Sequence, residues 1–214
     1  MRKNILSVSI IFSILGVLNL VLFAILSSLG LVFYRSLSYV FAVGFIACVW
    51  VPMVLNLILK TKFSLWLLIS YNLFMFASIS LGSLWNLYVY VLGFDKVVHF
   101  ISGVLFAILA YDLLKNNKDN NLSYFWLFFV CFSISMMFGG VWEIYEFVCD
   151  GLFSNNAQGA IGQVGRTAIS DTMLDLVCDF AGAILGGIIV VLMKKHSKKL
   201  EENQNTTKNI DNVF

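Results

Sequence analysis

The first 193 residues of the sequence contain six long apolar stretches, which are separated by short polar segments. They cover residues 5 to 29, 38 to 58, 63 to 86, 93 to 114, 123 to 147 and 171 to 193. Each has about 18 residues or more, which is the length a helix needs to cross the hydrocarbon core of a bilayer. The pattern predicts an all-α, polytopic membrane helix bundle with about six transmembrane helices.

The first two stretches carry additional information about processing and shape. The first stays apolar to about Leu31, whereas the core of a cleaved signal peptide spans only about 7 to 15 residues, and no A-x-A cleavage pattern follows it. We expect it to be retained as a helix. Pro52 lies inside the second stretch and predicts a bend, which a membrane helix tolerates when a neighbour satisfies the freed carbonyl.

The overall composition agrees with a membrane setting. Hydrophobic residues make up 60% of the chain, charged residues 12%, and the mean hydropathy is +0.89. The net charge of only +2 offers no extended basic surface, so membrane lipid is the expected partner and nucleic acid is not. No Walker loop is present, which argues against ATP-driven transport by this chain alone.

The distribution of basic residues predicts the orientation of the bundle. With six helices both termini share one side, and that side collects Arg2, Lys3, Lys60, Lys62, Lys115, Lys118, Lys194, Lys195, Lys198, Lys199 and Lys208. Basic residues favour the cytoplasmic side, so we expect both termini to be cytoplasmic. The domain organisation is then a transmembrane domain over residues 1–193 followed by a basic, polar, solvated tail over residues 194–214.

Charged residues inside three of the apolar stretches are the unusual feature of the sequence. They lie near the ends of the fourth stretch (Asp95, His99), the fifth (Glu143, Glu146 and, just beyond it, Asp150) and the sixth (Asp171, Asp175, Asp179). Within each group the spacing is three or four residues, so its members share one face of a helix. In the predicted orientation all three groups lie at the outer ends of their helices.

These ionisable residues are too costly to face lipid. A charge near the centre of a membrane helix costs about 2.5 to 3.5 kcal/mol on insertion scales. We therefore expect them to face the bundle interior or a polar cleft open to the outside, where such groups usually mark function. The candidate catalytic residues are Asp95, His99, Glu143, Glu146, Asp175 and Asp179.

Carboxylates with an imidazole are also the ligand types that bind Mg²⁺, Mn²⁺, Fe²⁺ or Zn²⁺. The candidate ligands for a divalent metal ion are Glu143, Glu146, Asp175 and Asp179. Paired carboxylates could instead share a proton. Three residues have simpler interpretations. Asp171 could be a helix N-cap, Asp95 could pair with Lys96, and His99 could be a hydrogen-bonded core histidine.

Two basic residues near these acids are candidate substrate-binding residues, Arg166 and Lys96. Arg166 lies in the glycine-rich segment "GAIGQVGRTAISD", whose backbone is able to fold closely over a cleft. Its guanidinium could bind a phosphate or a carboxylate with two parallel hydrogen bonds. The alternative is that Arg166 pairs with Asp171 or a neighbouring residue and fixes the loop.

Small residues and cysteines predict packing rather than chemistry. Gly182 and Gly186, and likewise Ala183 and Gly187, form stripes of small side chains that allow close helix contact. Such contact could lie inside the bundle or between copies in a homo-oligomer. The four cysteines form no C-x-x-C motif and are expected to be free thiols, with a Cys149–Cys178 disulfide as the alternative.

Three segments, taken in order, resemble a known family. They are "DKVVHFISGVL" at 95–105, "WEIYEF" at 142–147 and "GRTAISDTMLDLVCDFAGAILG" at 165–186. Together they resemble the VanZ-like family and its YjdF-type membrane-spanning relatives, over residues 91–193. The W-E-I-Y-E arrangement is closer to the YjdF type. The resemblance implies a multi-pass protein of the bacterial cytoplasmic (inner) membrane and, for VanZ itself, an association with glycopeptide resistance at the cell surface.

Two hypotheses for the function follow from these features. The first is a membrane-embedded enzyme acting on the head group of a lipid or of a lipid-linked envelope precursor. The second is a proton- or cation-linked binding or transport protein, or a non-catalytic membrane component, suggested by the progression from Asp171 through Asp175 to Asp179. No charge follows Asp179 on its helix before Lys194, which favours a site closed at its inner side.

Overall fold

A computed structural model of the chain describes residues 2–32, 38–60, 63–115, 122–153, 156–160 and 162–211. Those residues form helices and connecting turns, with no strand among them. The elements are α1 (Arg2–Ser28), α2 (Ser38–Val49), α3 (Val51–Leu59), α4 (Leu65–Met75) with a π-helical continuation (Phe76–Leu84), α5 (Leu87–Tyr90), α6 (Phe94–Lys115), α7 (Tyr124–Phe153), a 3₁₀ turn (Gly165–Ile169) and α8 (Ser170–Asp211).

Five of the described helical segments are long and apolar enough to cross a membrane. They are Asn4–Ser28, Leu65–Leu84, Phe94–Lys115, Tyr124–Phe153 and Gly165–Gln204. The second predicted stretch, residues 38 to 58, is occupied by α2 and α3 and contains the apolar segment Val43–Ile58. The predicted class, a multi-pass helical membrane bundle, is confirmed.

The break between α2 and α3 follows from Pro52, the second residue of α3. Proline has no backbone N–H, so the carbonyl of Cys48 loses its usual helical partner. The Tyr71 hydroxyl donates to that carbonyl at 2.9 Å, and the Ser9 hydroxyl donates to the neighbouring carbonyl of Val49 at 3.2 Å. The predicted bend is therefore present, and side chains of α1 and α4 satisfy the exposed backbone.

Removal of the Tyr71 hydroxyl tests this account of the bend. Tyr71→Phe leaves the Cys48 carbonyl without its donor in an apolar surrounding, and we expect a loss of about 1 to 2 kcal/mol in unfolding free energy. Thermal unfolding of the purified protein in detergent measures it. Tyr90→Phe is the matched control because Tyr90 is 70% exposed. Equal stability of both variants would contradict the assigned role of the hydroxyl.

The first four helices form an apolar scaffold that is tied to α6 by one buried acid. Its core contains Ile5, Val8, Phe12, Phe45, Val49, Phe63, Leu67, Leu68 and Leu105. Asp112 of α6 is fully buried, accepts a hydrogen bond from the backbone N–H of Ser64 at 2.8 Å, and pairs with Lys115. Asp112 thereby fixes the start of α4 against the end of α6.

The closest helix contact in the second half of the chain is between α6 and α8. A side-chain carbon added to Gly103 would lie 2.8 Å from the backbone nitrogen of Ala183, and one added to Gly182 would overlap the carbonyl oxygen of Phe100. The two backbones therefore touch where side chains are absent. The small-residue stripe predicted on α8 is used for packing inside the bundle.

A pair of glycine substitutions tests the contact. Gly182→Ala forces α8 away from the Phe100 carbonyl, and we expect destabilisation by about 1 to 3 kcal/mol. Gly140→Ala is the control, since no atom lies within 4 Å of an added carbon there. Alanine in a helix is favoured over glycine, so the control should be unchanged or up to about 1 kcal/mol more stable. Thermal unfolding compares them, and a neutral Gly182→Ala would refute close backbone contact.

Helix α8 extends past the predicted membrane boundary at residue 193. It continues to Asp211, and its side chains from Lys195 to Gln204 are exposed. The Lys194 ammonium donates to the carbonyl of Leu122 at 2.8 Å, which anchors the exit of the helix from the bundle. The polar tail predicted only as a solvated segment is therefore helical, because it continues an existing helix with good helix-forming residues.

Candidate functional site

The beginnings of α6 and α8 and the end of α7 meet at one end of the bundle. This arrangement brings together side chains that are far apart in the sequence and that we call the acidic cluster: Asp95, Lys96 and His99 of α6, Glu143 of α7, and Asp171, Asp175 and Asp179 of α8. The convergence predicted from the spacing of the acids is present in the structure.

Lys96 is the central cation of the acidic cluster. Its ammonium lies 2.5 Å from Asp171 Oδ1, 2.8 Å from each carboxylate oxygen of Asp175, and 3.1 Å from Asp95 Oδ2. The Asp95–Lys96 pair considered from the sequence is thus formed. Since three carboxylates surround its ammonium, Lys96 acts as a counter-ion that joins α6 to α8 rather than as a free group for a substrate anion.

The acidic cluster has an accessible rim and a buried base. The side chains of Asp95, Lys96 and Asp171 are 29%, 25% and 33% exposed, whereas those of Asp175 and Asp179 are each 1% exposed. The carboxylates on α8 therefore become less accessible along the helix, as the four-residue spacing predicted. The expected open cleft is instead a largely packed polar core.

His99 is held at the buried base by Asp179. The distance from His99 Nδ1 to Asp179 Oδ2 is 3.1 Å, and the Ser102 hydroxyl donates to Asp179 Oδ1 at 2.8 Å. An ionised carboxylate only accepts hydrogen bonds, so Nδ1 carries the proton and Nε2 is left for the other side of the ring. Gly139 of α7 makes room for Asp179, because an added side-chain carbon would lie 2.5 Å from Oδ2.

The second nitrogen of His99 faces three carboxylates. Nε2 lies 3.7 Å from Asp95 Oδ1, 3.7 Å from Glu143 Oε1 and 3.8 Å from Asp175 Oδ1. Asp95, His99 and Asp175 offer ligand atoms that all lie within 4.8 Å of one another, a spacing able to hold a metal ion. Of the four metal ligands expected from the sequence, Asp175 belongs to this group, and Glu143 lies beside it at 3.7 Å from Nε2.

The other two expected metal ligands have different partners. Asp179 bonds the opposite side of the His99 ring, and Glu146 accepts a hydrogen bond from Trp142 Nε1 at 2.8 Å on a half-exposed face of α7. Sequence spacing placed Glu143 and Glu146 on one face of α7. Three residues of an α-helix turn through about 300°, which is 60° short of a full circle. Glu146 therefore points in a different direction from Glu143, toward the rim.

A loop between α7 and α8 covers part of the cluster. Both carboxylate oxygens of Asp150 accept backbone hydrogen bonds, from Ala157 at 2.8 Å and from Gln158 at 3.0 Å. The side-chain amide of Gln158 in turn donates to the Thr172 hydroxyl at 2.9 Å. Asp150, grouped with the acids by its spacing, therefore has a structural role in the loop.

Sequence reasoning missed several contributors to the site. Ser102 follows His99 by three positions on the same face of α6, a signal that could have found it, whereas nothing in the sequence pointed to Gln158. Tyr88 packs edge-on against Phe94 with ring centroids 5.3 Å apart. Burial, then the charges of nearby carboxylates beginning with Asp95, raise the pKa of the Tyr88 hydroxyl, so it stays protonated.

Arg166 lies outside the acidic cluster, exposed on the 3₁₀ turn. The alternative of an Arg166–Asp171 ion pair is wrong, since Asp171 pairs with Lys96 and no ion pair between described residues involves Arg166. All four cysteines are free, so the Cys149–Cys178 disulfide is also absent.

Below the acidic cluster the bundle becomes apolar. The Ser135 hydroxyl donates to the carbonyl of Gly103 at 2.6 Å. The next buried layer is formed by Ala107, Ala110, Tyr111, Leu127, Cys131 and Val190. Together with the touching backbones of α6 and α8, this layer closes the base of the site within the described residues.

Loss of the central cation is expected to destabilise the protein. Lys96→Met leaves the buried Asp175 carboxylate uncompensated, and we expect a loss of about 2 to 3 kcal/mol in unfolding free energy, less than for a fully buried pair because Lys96 is partly exposed. The double variant Lys96→Met, Asp175→Asn should regain stability over the single variant. Thermal unfolding of both checks the coupling, and additive losses would argue against it.

The fold and the acidic cluster define a multi-pass α-helical integral membrane protein with an ionisable site at one end of its bundle. The family model described as "Predicted membrane protein (DUF2238)" matches residues 14–196, and the chain belongs to this family. No curated protein and no solved structure matches the chain.

Proposed function

We propose that the protein is a membrane-embedded enzyme that acts on the head group of a membrane lipid or of a lipid-linked envelope precursor. The observation that carries the proposal is the convergence of Asp95, His99, Glu143 and Asp175 on one point, just below an accessible rim. Burying so many ionisable groups together lowers the stability of the protein. Proteins ordinarily retain such groups because they serve a function.

The proposed location follows from topology. Counting the apolar segment Val43–Ile58 as a span gives six crossings, and the positive-inside rule then places both termini in the cytoplasm. The transmembrane domain would comprise residues 1–193 and the polar tail residues 194–214. The acidic cluster would lie at the outer surface, at the depth of lipid head groups. The resemblance to VanZ-like and YjdF-type proteins supports a bacterial cytoplasmic membrane.

The site residues would have different roles according to their positions. The four converging residues form the reaction centre, and Asp179 holds His99 in place. Glu146 at the rim is suited to proton transfer, with the neutral Tyr88 hydroxyl available as a hydrogen-bond donor. Arg166, exposed and without an ion pair among the described residues, is available for an anionic part of the head group.

Proton- or cation-linked transport is the second candidate, supported by the three aspartates at increasing depth on α8. It requires a polar path from the acidic cluster to the other side. The backbone contact at Gly103 and Gly182, and the apolar layer below it, weigh against such a path. The enzyme is therefore the better-supported proposal.

A lipid-conversion assay tests the enzymatic proposal. The protein is placed in nanodiscs containing a bacterial lipid extract, and head groups are followed by mass spectrometry. We expect the wild type to convert one lipid class, and Glu146→Gln to reduce the rate about 100-fold or more, the usual contribution of a general acid or base. Glu201→Gln, an exposed position on α8, should retain the wild-type rate.

Two results would count against the enzyme. Unchanged lipid masses with the wild type, over a range of pH and divalent ions, would remove the basis for a head-group reaction. Uptake of protons or cations by sealed proteoliposomes, abolished by Asp175→Asn, would establish transport instead.

A further inference from the structure

We infer that the acidic cluster binds one divalent transition-metal ion through Asp95, His99, Glu143 and Asp175, with Asp179 as a positioning residue. This inference deepens the proposed function by naming its cofactor. It depends on the proposed function only for the role of the ion in the reaction, because the binding of the ion is inferred from the contacts.

The charges around His99 Nε2 favour a cation at this position. With its proton on Nδ1, His99 directs the lone pair of Nε2 at three carboxylate oxygens that are 3.7 to 3.8 Å away. Asp175 Oδ1 is already paired with the Lys96 ammonium, but Nε2, Asp95 Oδ1 and Glu143 Oε1 are electron-rich atoms that repel one another unless a cation lies among them. A proton on Nε2 would reduce this repulsion without forming a normal N–H···O bond, because all three distances exceed about 3.2 Å.

Glu143 gives an independent reason to expect a cation. Its side chain is only 5% exposed, and its one neighbouring donor is the Thr172 hydroxyl, which accepts from Gln158 and has a single hydrogen to give. At least one Glu143 oxygen therefore has no donor among the described residues. Lys96 pairs with Asp95, Asp171 and Asp175 instead. A buried carboxylate with so few donors is costly, and a metal ion would satisfy it.

The dimensions of the site suit a small ion. Zinc and similar metals bind nitrogen and oxygen at about 2.0 to 2.2 Å, so that the ligands of a tetrahedral site lie about 3.3 to 3.6 Å apart. The observed separations from Nε2 are 3.7 to 3.8 Å. The ligand atoms of Asp95, His99 and Asp175 lie within 4.8 Å of one another, so side-chain rotations that bring them about 1 Å closer would complete the coordination.

The donor set indicates which metals fit. One imidazole with three carboxylates is suited to Zn²⁺, Mn²⁺ or Fe²⁺, whereas Mg²⁺ and Ca²⁺ favour oxygen donors alone. Coordination by three carboxylates also favours a divalent ion over a monovalent one, because the divalent ion neutralises more of the local negative charge.

The surrounding residues match the support that metal ligands usually have. Ligating histidines commonly donate their second N–H to a carboxylate, as His99 does to Asp179. Lys96 binds Oδ2 of Asp95 and leaves Oδ1 facing His99 Nε2. Ser102 then fixes Asp179. The ligands are thus oriented before an ion arrives, which lowers the entropy lost on binding.

Metal analysis of the full-length purified protein tests the inference. The protein is stripped with a chelator and resupplied separately with Zn²⁺, Mn²⁺ or Fe²⁺, after which bound metal and affinity are measured. We expect about one ion per chain for at least one metal. Glu143→Gln should weaken metal binding about 100-fold or more. That exceeds the loss of about 10- to 100-fold that is typical when a residue supporting a metal ligand is replaced. Glu146→Gln, three residues away on α7, should bind as the wild type does.

Stability measurements separate a lost ligand from a misfolded variant. In chelator, Glu143→Gln should be at least as stable as the wild type, because it removes a buried carboxylate with few donors from a crowded group of acids. Added metal should raise the Tm of the wild type and of Glu146→Gln but not that of Glu143→Gln. A wild type that retains no metal after resupply, or equal losses of metal in the two glutamine variants, would overturn the inference.

The results of the metal-binding measurements and of the lipid-conversion assay can be told apart. Stoichiometric metal binding without any lipid conversion would refute the proposed enzymatic function and leave the metal site standing. Lipid conversion that continues undiminished in chelator, by protein shown to be free of metal, would support the function and overturn the role of the ion.

Discussion

The backbone contact between α6 and α8 is the constraint on which the rest of the site depends. Gly103 and Gly182 carry no side-chain carbon, and the two helices approach until backbone atoms touch. Only at this separation can the side chains of Lys96 and His99, on the first turns of α6, reach carboxylates on α8. The same contact seals the base of the site, so small residues both assemble the acidic cluster and limit its depth.

Charge compensation then divides the acidic cluster into two parts. Toward the rim, Lys96 neutralises the carboxylates of Asp171 and Asp175 and binds one oxygen of Asp95. Toward the base, Asp95 Oδ1 and Glu143 Oε1 each lie 3.7 Å from His99 Nε2, beyond the distance of a normal hydrogen bond. A protein that needed only to join its helices would gain nothing from the second part. This asymmetry is the reason for connecting the site with cation binding and chemistry.

The first half of the chain supports this site at a distance. Its helix break is satisfied within this half, at Pro52, where Tyr71 replaces the missing backbone donor. Asp112 links that scaffold to the far end of α6. Helix α6 is consequently held at both ends, to α8 by the acidic cluster and to the start of α4 by Asp112. A rigid pair of helices is what a site built from opposed carboxylates requires, because the repulsion would otherwise separate them.

The sequence alone determined the membrane setting, the helical class, the bend at Pro52 and the meeting of acids from three helices, because hydrophobic length and three- or four-residue spacing are local properties. It also identified the packing stripe at Gly182. Only the tertiary structure decided which oxygens face one another. Asp179 was expected to bind metal, yet it holds His99, and Glu146 turns toward the rim. Spacing fixes the face of one helix, whereas the rotation and separation of neighbouring helices fix the partner, and these depend on contacts such as Gly103 with Gly182 that no single segment contains.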